Sequence, residues 1–374
     1  MKAFHKTLCI FITVISITCT SGCRLTQGYE LGDRLIIEAI GIDRTEEGCR
    51  LCLQVLDPDS ADNSGKTHPI RVLTFDGESV AAAFAKIPAA TGKVPLYSQA
   101  RLLLFGRAAA ESGLLAQLDF FQREYNARPD VLFAVSDSAA DILAGTDGDP
   151  PEADKIEAAI KAGHEAGECV EMPLYRFLNL TYEPSDTAFC TILTSSDDAG
   201  KSIPDCRSTA LFQNERWTAT VGERETKGLL FLLGEVRKTT AAVKLNSGSC
   251  TLSVTGCRRT VRVNKAGNSA VFSIRLEVSA DLIEYANDAS EALDEAVVKK
   301  TQEAFEESLY SLLQDAVTTF YHEQKADVCR LLRRVPVSGA EEVSPYKYSV
   351  FLTPDETIRL DVHASIRRTG KVRL

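Results

Sequence analysis

Four stretches of this 374-residue chain carry residue types at spacings that chemistry uses. Cys49-Arg-Leu-Cys52 has the spacing of a redox pair or of half a zinc site, and His164-Glu165 is half of a zinc-hydrolase motif. Ser195-Ser-Asp-Asp-Ala-Gly-Lys-Ser202 ends like a phosphate-binding loop, and Gly145-Thr-Asp-Gly-Asp-Pro-Pro-Glu-Ala-Asp154 gathers acids as a calcium loop does. Each fails on its surroundings. The cysteine pair opens an alternating run, Cys49 to Val55, and strand positions three apart face opposite ways, so the thiols read as ordinary strand residues. The zinc motif needs a second histidine at position 168, which is Glu168, so a solvated helix face is the better reading. The phosphate-loop match has Ser195 for its first glycine and Ile203-Pro204 where a helix must begin, so it reads as a polar surface loop. Pro150 and Pro151 break the calcium spacing and make that stretch a linker. No nucleophile elbow or dinucleotide fingerprint is present, and the five histidines are scattered, one of them in the leader. No catalytic residue, metal ligand or cofactor-binding residue is assigned.

The chemistry that does stand out lies at the beginning. Lys2 and Lys6 precede an apolar run from Leu8 to Cys19, followed by Thr20-Ser21-Gly22-Cys23. As a helix that run reaches about 18 Å, short of a hydrocarbon core of about 30 Å, so it is a signal segment rather than a permanent span. Small residues before a cysteine resemble the bacterial lipobox, in which the thiol takes a diacylglyceryl group before cleavage on its amino side. Thr20 stands where that pattern prefers an aliphatic residue. The plainer reading of the same residues is an ordinary secretory leader with a cysteine near its cleavage site. Cys23 is the expected lipid attachment point, and two acyl chains would hold the protein stably where one binds only marginally.

The body behind that anchor is 44% hydrophobic and 25% charged, enough to bury the cores of two or three domains. Losing Lys2 and Lys6 leaves 40 basic against 52 acidic residues, a net charge of −12. Such a surface excludes nucleic acid as a general partner and is repelled by anionic headgroups, so the acyl chains must supply the membrane attachment. Eight cysteines remain after Cys9, Cys19 and Cys23 are set aside, and the sequence leaves their pairing open.

The elements that must carry these residues follow from patterning. A helix is expected over 30–37, then a hairpin through Ala39 to Asp43 and Cys49 to Val55. Next come a strand at 70–75, a helix opened by Ser79, and apolar strands at 100–105 and 131–135 with short helices between. Residues 147–206 read as linker and middle segment, with a helix from Glu152 to about Ala166 and another around Leu174 to Leu180. From 207 onward, glycine-punctuated strands are expected, including Leu229 to Leu233. A long amphipathic helix through Leu293 to Phe320 follows, its capping box at Asp288 and Glu291, and then closing strands at 348–352 and 358–366. The domain reading is 1–22 signal peptide, 23–146 N-terminal mixed α/β domain, 147–206 linker and middle segment, and 207–374 C-terminal α+β domain. The fold class is α+β with mixed α/β character: a mixed-sheet N-terminal region and a C-terminal antiparallel sheet crossed by a long helix.

In this order the signatures resemble the C subunits of spore germination nutrient receptors, the GerAC-type lipoproteins. They are the lipobox cysteine, Glu38-Ala-Ile-Gly-Ile-Asp43, the strand Gly48 to Val55, the block Tyr97-Ser-Gln-Ala-Arg-Leu-Leu-Leu-Phe-Gly106, Thr226-Lys-Gly228 with its apolar run, Gln324-Lys-Ala-Asp327, and the ending Arg367-Arg-Thr-Gly370. Gln99 stands where the family often has histidine, and Cys329-Arg-Leu-Leu332 replaces its aromatic-glycine sequence. The resemblance implies a non-enzymatic subunit, lipid-anchored through Cys23 at the extracytoplasmic face of the spore inner membrane. It further implies assembly with integral membrane subunits of A and B type in nutrient-triggered germination. The alternative is a lipid-anchored solute-binding protein of a transporter, which predicts a ligand-sized cleft between two lobes.

Overall fold

Apolar and β-branched residues from Leu35 to Ile42 draw the chain into its first long strand. The computed structural model describes residues 30–56, 70–124, 127–145, 150–183, 185–198, 201–245, 248–266, 269–287, 293–334 and 358–369. A single turn at Leu31–Asp33 leads into strand β1, Arg34–Thr45. The helix expected over 30–37 is therefore a strand for its second half. Leu35 and Ile37 are buried, and Arg34 to Ile36 pair in parallel with β4, Val94–Leu96, so sheet partners override the local helical pattern.

The hairpin partner β2, Gly48–Leu56, and β3, Ile70–Gly77, extend the sheet antiparallel on one side. On the other side β5, Leu102–Gly106, and β6, Leu132–Ser136, run parallel and are buried at every position, as central strands covered on both faces must be. Helices α1 (Val80–Ala85), α2 (Ile87–Thr91), α3 (Arg107–Ser112) and α4 (Leu115–Arg123) cover one face. Ser79 caps α1 as expected. Helices α5 (Ala139–Ala144) and α6 (Ala153–Glu165) cover the other, while α7 (Leu174–Thr181) returns to the first.

Three more strands complete this nine-stranded sheet: β7, Thr187–Asp198, β8, Lys201–Gln213, and β9, Arg216–Val221. The sheet thus continues past the boundary expected at 206/207. The reason is a long hairpin: Thr191 pairs with Thr209 and Ile192 with Ser208, so ladder hydrogen bonds straddle the position where composition changes.

The run Leu229 to Leu233, expected as a strand, lies in helix α8, Glu223–Leu233. Glu223 and Glu225 suit its first turn, and Gly234 ends it at φ 73°. Leu229, Leu230, Phe231 and Leu232 are all buried, and a run apolar on every side carries no period to tell helix from strand. A second sheet follows with β10 (Thr239–Leu245), β11 (Gly248–Ala266) and β12 (Ser269–Asn287) antiparallel. The closing strand β13, Ile358–Thr369, joins β12 in parallel, which makes this sheet mixed. The long helix α9, Glu295–Val317, crosses its inner face and runs into a π turn at Thr318–Glu323. Asp294 caps it, accepting from the Val297 amide at 2.8 Å, while Asp288 and Glu291 lie outside the described residues, as does the strand expected at 348–352. One apolar core runs without interruption from β1 and α1 through α8 to β12 and α9.

Candidate functional site

Cys23 lies outside the described residues. Cys49 and Cys52 are buried in separate apolar layers on opposite faces of β2, and burial raises both thiols, that of Cys52 to about 12. Such thiols hold little thiolate at neutral pH. His164 sits on α6 with Nδ1 accepting from the Glu171 amide at 3.3 Å and Nε2 4.0 Å from Glu235, a structural placement. Glu165 instead offers its backbone carbonyl to the Lys238 amide at 3.0 Å. Lys201 and Ser202 begin β8, so no helix follows that glycine-lysine-serine sequence. Glu152 and Asp154 stand at the start of α6, where Glu152 pairs with Lys155 at 2.6 Å. Among the described residues no three histidine, cysteine or acidic side chains gather to hold a metal ion. No helix among them is long and apolar enough to cross a membrane.

The signature residues converge on joints. Asp43, ending Glu38-Ala-Ile-Gly-Ile-Asp43, accepts the Ala139 and Ala140 amides at 2.9 and 2.8 Å, holding the start of α5 against β1. A methyl group on Gly106 would fall 1.8 Å from the same carboxylate, so the last residue of the 97–106 block is small because Asp43 occupies its space. In that block Arg101 donates its amide to the Glu38 carbonyl at 2.8 Å and its guanidinium to Glu157 at 2.8 Å. Burial raises the Glu38 carboxyl; in Glu157 the hydrogen bonds from Lys161 and Arg101 outweigh burial and lower it.

A second joint is built on α8. Thr226 and Thr209 share a buried hydroxyl hydrogen bond at 2.9 Å. A methyl on Gly228 would lie 2.7 Å from Ala316 Cβ and 2.9 Å from the Leu312 carbonyl, so this glycine lets α8 and α9 touch backbone to backbone. Beyond α9, Asp327 is 2% exposed and accepts from the Tyr321 hydroxyl, the Leu331 amide and the Leu332 amide at 3.0, 2.8 and 2.9 Å. Burial raises its carboxyl in spite of those donors. Cys329, Leu331 and Leu332 fill the core around this knot. Two ion-pair staples tie the halves of the chain: Arg330 and Arg333 hold Glu183, the latter at 3.1 Å, and Arg176 on α7 holds Glu235 after α8.

What these joints leave open is the outer face of the second sheet. Two shallow hollows of about 500 and 550 Å³ lie along it. Arg258, Arg262, Arg275, Arg359 and Arg367 line them against Glu277 and Asp361, a basic excess on an acidic chain. Cross-strand register explains the pattern. Arg275 sits opposite Asp361 and bonds it at 2.7 Å, and Arg258 sits opposite Glu277, so those charges are matched. In the neighbouring row Arg262, Ser273 and Arg359 stand side by side, placing two cations around one hydroxyl. That row carries two positive charges and no acid. The alternation Arg258-x-Thr260-x-Arg262 and Arg359-x-Asp361-x-His363 carries the signal for this face. It went unread because each polar residue alone looks like ordinary solvated strand.

The family model described as the spore germination protein N-terminal domain matches residues 28–195. That described as spore germination B3/GerAC-like, C-terminal, matches residues 207–370. The chain belongs to the GerAC family of spore germination proteins. The crystal structure of the GerBC protein shares the fold, with a TM-score of 0.56 at 15% identity over 88% of this chain and 96% of that one. No curated protein matches the chain in sequence. The two GerAC regions meet between 195 and 207, inside the β7–β8 hairpin, and both staples run from the first region to the second.

Proposed function

We propose that this chain is the lipid-anchored, non-enzymatic C-type subunit of a nutrient germinant receptor. It is held at the extracytoplasmic face of the spore inner membrane by acylated Cys23 and assembles with integral membrane subunits of A and B type. The carrying observation is the two GerAC regions following one another across residues 28–370, behind a leader that ends at a lipobox-like cysteine. The use of the signature residues agrees with a scaffold. Asp43, Gly106, Thr226, Gly228 and Asp327 hold elements together.

In this reading the outer face of the second sheet docks an acidic surface of a membrane subunit, because its arginine excess is the complement that such a surface needs. Anchoring confines the chain to the partner's membrane and raises its effective concentration, so a modest contact suffices. The test is Cys23→Ala in a spore-forming host: the protein should lose labelled fatty acid, keep its leader, and no longer co-purify with the membrane subunits. Continued uptake of labelled fatty acid would overturn the anchor, and an unchanged response to every nutrient after deletion of the gene and its paralogues would overturn the receptor role.

A further inference from the structure

Cys169 and Cys206 differ from the other described cysteines in having each other's thiol as a neighbour. Cys169 follows α6 after a turn through Gly167 at φ 72°, and Cys206 lies on β8; both belong to the same apolar layer. Their sulfurs gather at a gap left by Gly163 in the last turn of α6. A methyl there would lie 2.8 Å from Cys169 Sγ and 3.6 Å from Cys206 Sγ. The Cys169 thiol donates to the Ile160 carbonyl at 3.2 Å, which orients that sulfur, and the Thr191 hydroxyl holds the Cys206 backbone carbonyl at 2.6 Å. By contrast, Cys250 faces the Thr301 hydroxyl and Cys329 the Leu232 carbonyl.

We propose that Cys169 and Cys206 form a disulfide in the exported protein, cross-linking the end of α6 to β8. The proposal rests on the extracytoplasmic placement argued above, since cytoplasmic thiols are kept reduced. The oxidant is a disulfide, carried either by an exported thiol oxidase or by a small thiol. Cys206, at the edge of the layer, attacks one sulfur of that disulfide as thiolate, expelling the other and leaving a mixed disulfide. Cys169, deprotonated by the expelled thiolate, then attacks Cys206 Sγ and releases the second thiol. Two electrons and two protons pass from the pair to the oxidant, which ends as two thiols. The contact with Cys169 lowers the Cys206 thiol against the opposing effect of burial, and the same contact raises Cys169, which suits the order of attack.

The bond would close the loop that carries α7 and β7, constraining the unfolded chain over that length. The experiment uses the purified mature chain with Cys23→Ser, equilibrated with oxidised and reduced glutathione, alkylated in denaturant and mapped by mass spectrometry. The expected result is a linked pair of peptides containing Cys169 and Cys206, and a thermal midpoint that falls by about 5 °C on adding dithiothreitol. The same reductant should leave the midpoint of Cys169→Ser/Cys206→Ser unchanged. Both cysteines recovered alkylated and unlinked from a chain that was folded during the equilibration would overturn the proposal, and this measurement needs no variant at either position. A link formed in the purified chain but absent from spore membranes would count against the extracytoplasmic placement instead.

Discussion

The Tyr321 hydroxyl donates to the Asp327 carboxylate at 3.0 Å and accepts the Cys329 amide at the same distance. One phenol therefore links a buried acid to the backbone of the residue two positions further on. The knot closes the path from α9 back to the core, and every polar atom named in it has a partner.

Tyr321→Phe should cost about 1–3 kcal/mol, because it leaves a buried amide and one carboxylate oxygen short of a partner. A denaturant midpoint measures this. Asp327→Asn should cost a similar amount, since an amide group replaces an oxygen that accepts a backbone N–H. Its pH signature has a definite sign. The folded carboxyl lies above its ordinary 3.8, so the native state binds the proton more tightly. That contribution is complete below the unfolded value and is lost as pH rises through the folded one. Asp327→Asn removes the dependence, so its deficit relative to the native chain should be largest at the acid end of the range and shrink as pH rises.

Gly228→Ala tests the α8–α9 contact. An exposed helical site would gain about 1 kcal/mol from this change. Here the added methyl meets Ala316 and the Leu312 carbonyl, and overpacking at about 1–3 kcal/mol should turn the gain into a net loss. An increase in thermal midpoint would refute the close approach.

The staples can be measured by a double-mutant cycle on Glu183→Gln and Arg330→Gln. Glu183 is largely buried and Arg330 partly exposed, so a coupling of about 1 kcal/mol is expected, shrinking in high salt. Zero coupling at low salt would remove the pair from the account of how the halves are held.

Arg262→Glu combined with Arg359→Glu addresses docking. Both side chains lie on an exposed sheet face, so stability should change by no more than about 0.5 kcal/mol. Co-purification with the membrane subunits should drop sharply while lipid labelling is retained. Undiminished co-purification would send the search to another face.

Much of the scaffold was legible because its signals are local. Alternation marked β2, the 3.6-residue period marked α6 and α9, and Ser79 announced its helix. Leu229 to Leu233 and Leu35 to Ile37 were misread for a common reason: a short apolar run has no polar side to phase it, and only its partners decide. Composition changes near Arg207, where the second family region begins, while the hydrogen-bond ladder runs on through it, because pairing across a hairpin takes no account of composition. The joints could be located in sequence by signature yet not explained by it. That Gly106 makes room for Asp43, or Gly228 for Ala316, depends on contacts between residues far apart in the chain.

The hairpin β7–β8 has a consequence for anyone who divides this protein. Cutting at the seam between its two family regions would unzip a ladder in mid-sheet and leave β7 with a bare row of amides and carbonyls. An open edge of that kind recruits other chains. The first region made alone is therefore expected to self-associate, and the smallest soluble N-terminal piece must extend through β9, borrowing the opening of the second region as its own border strand.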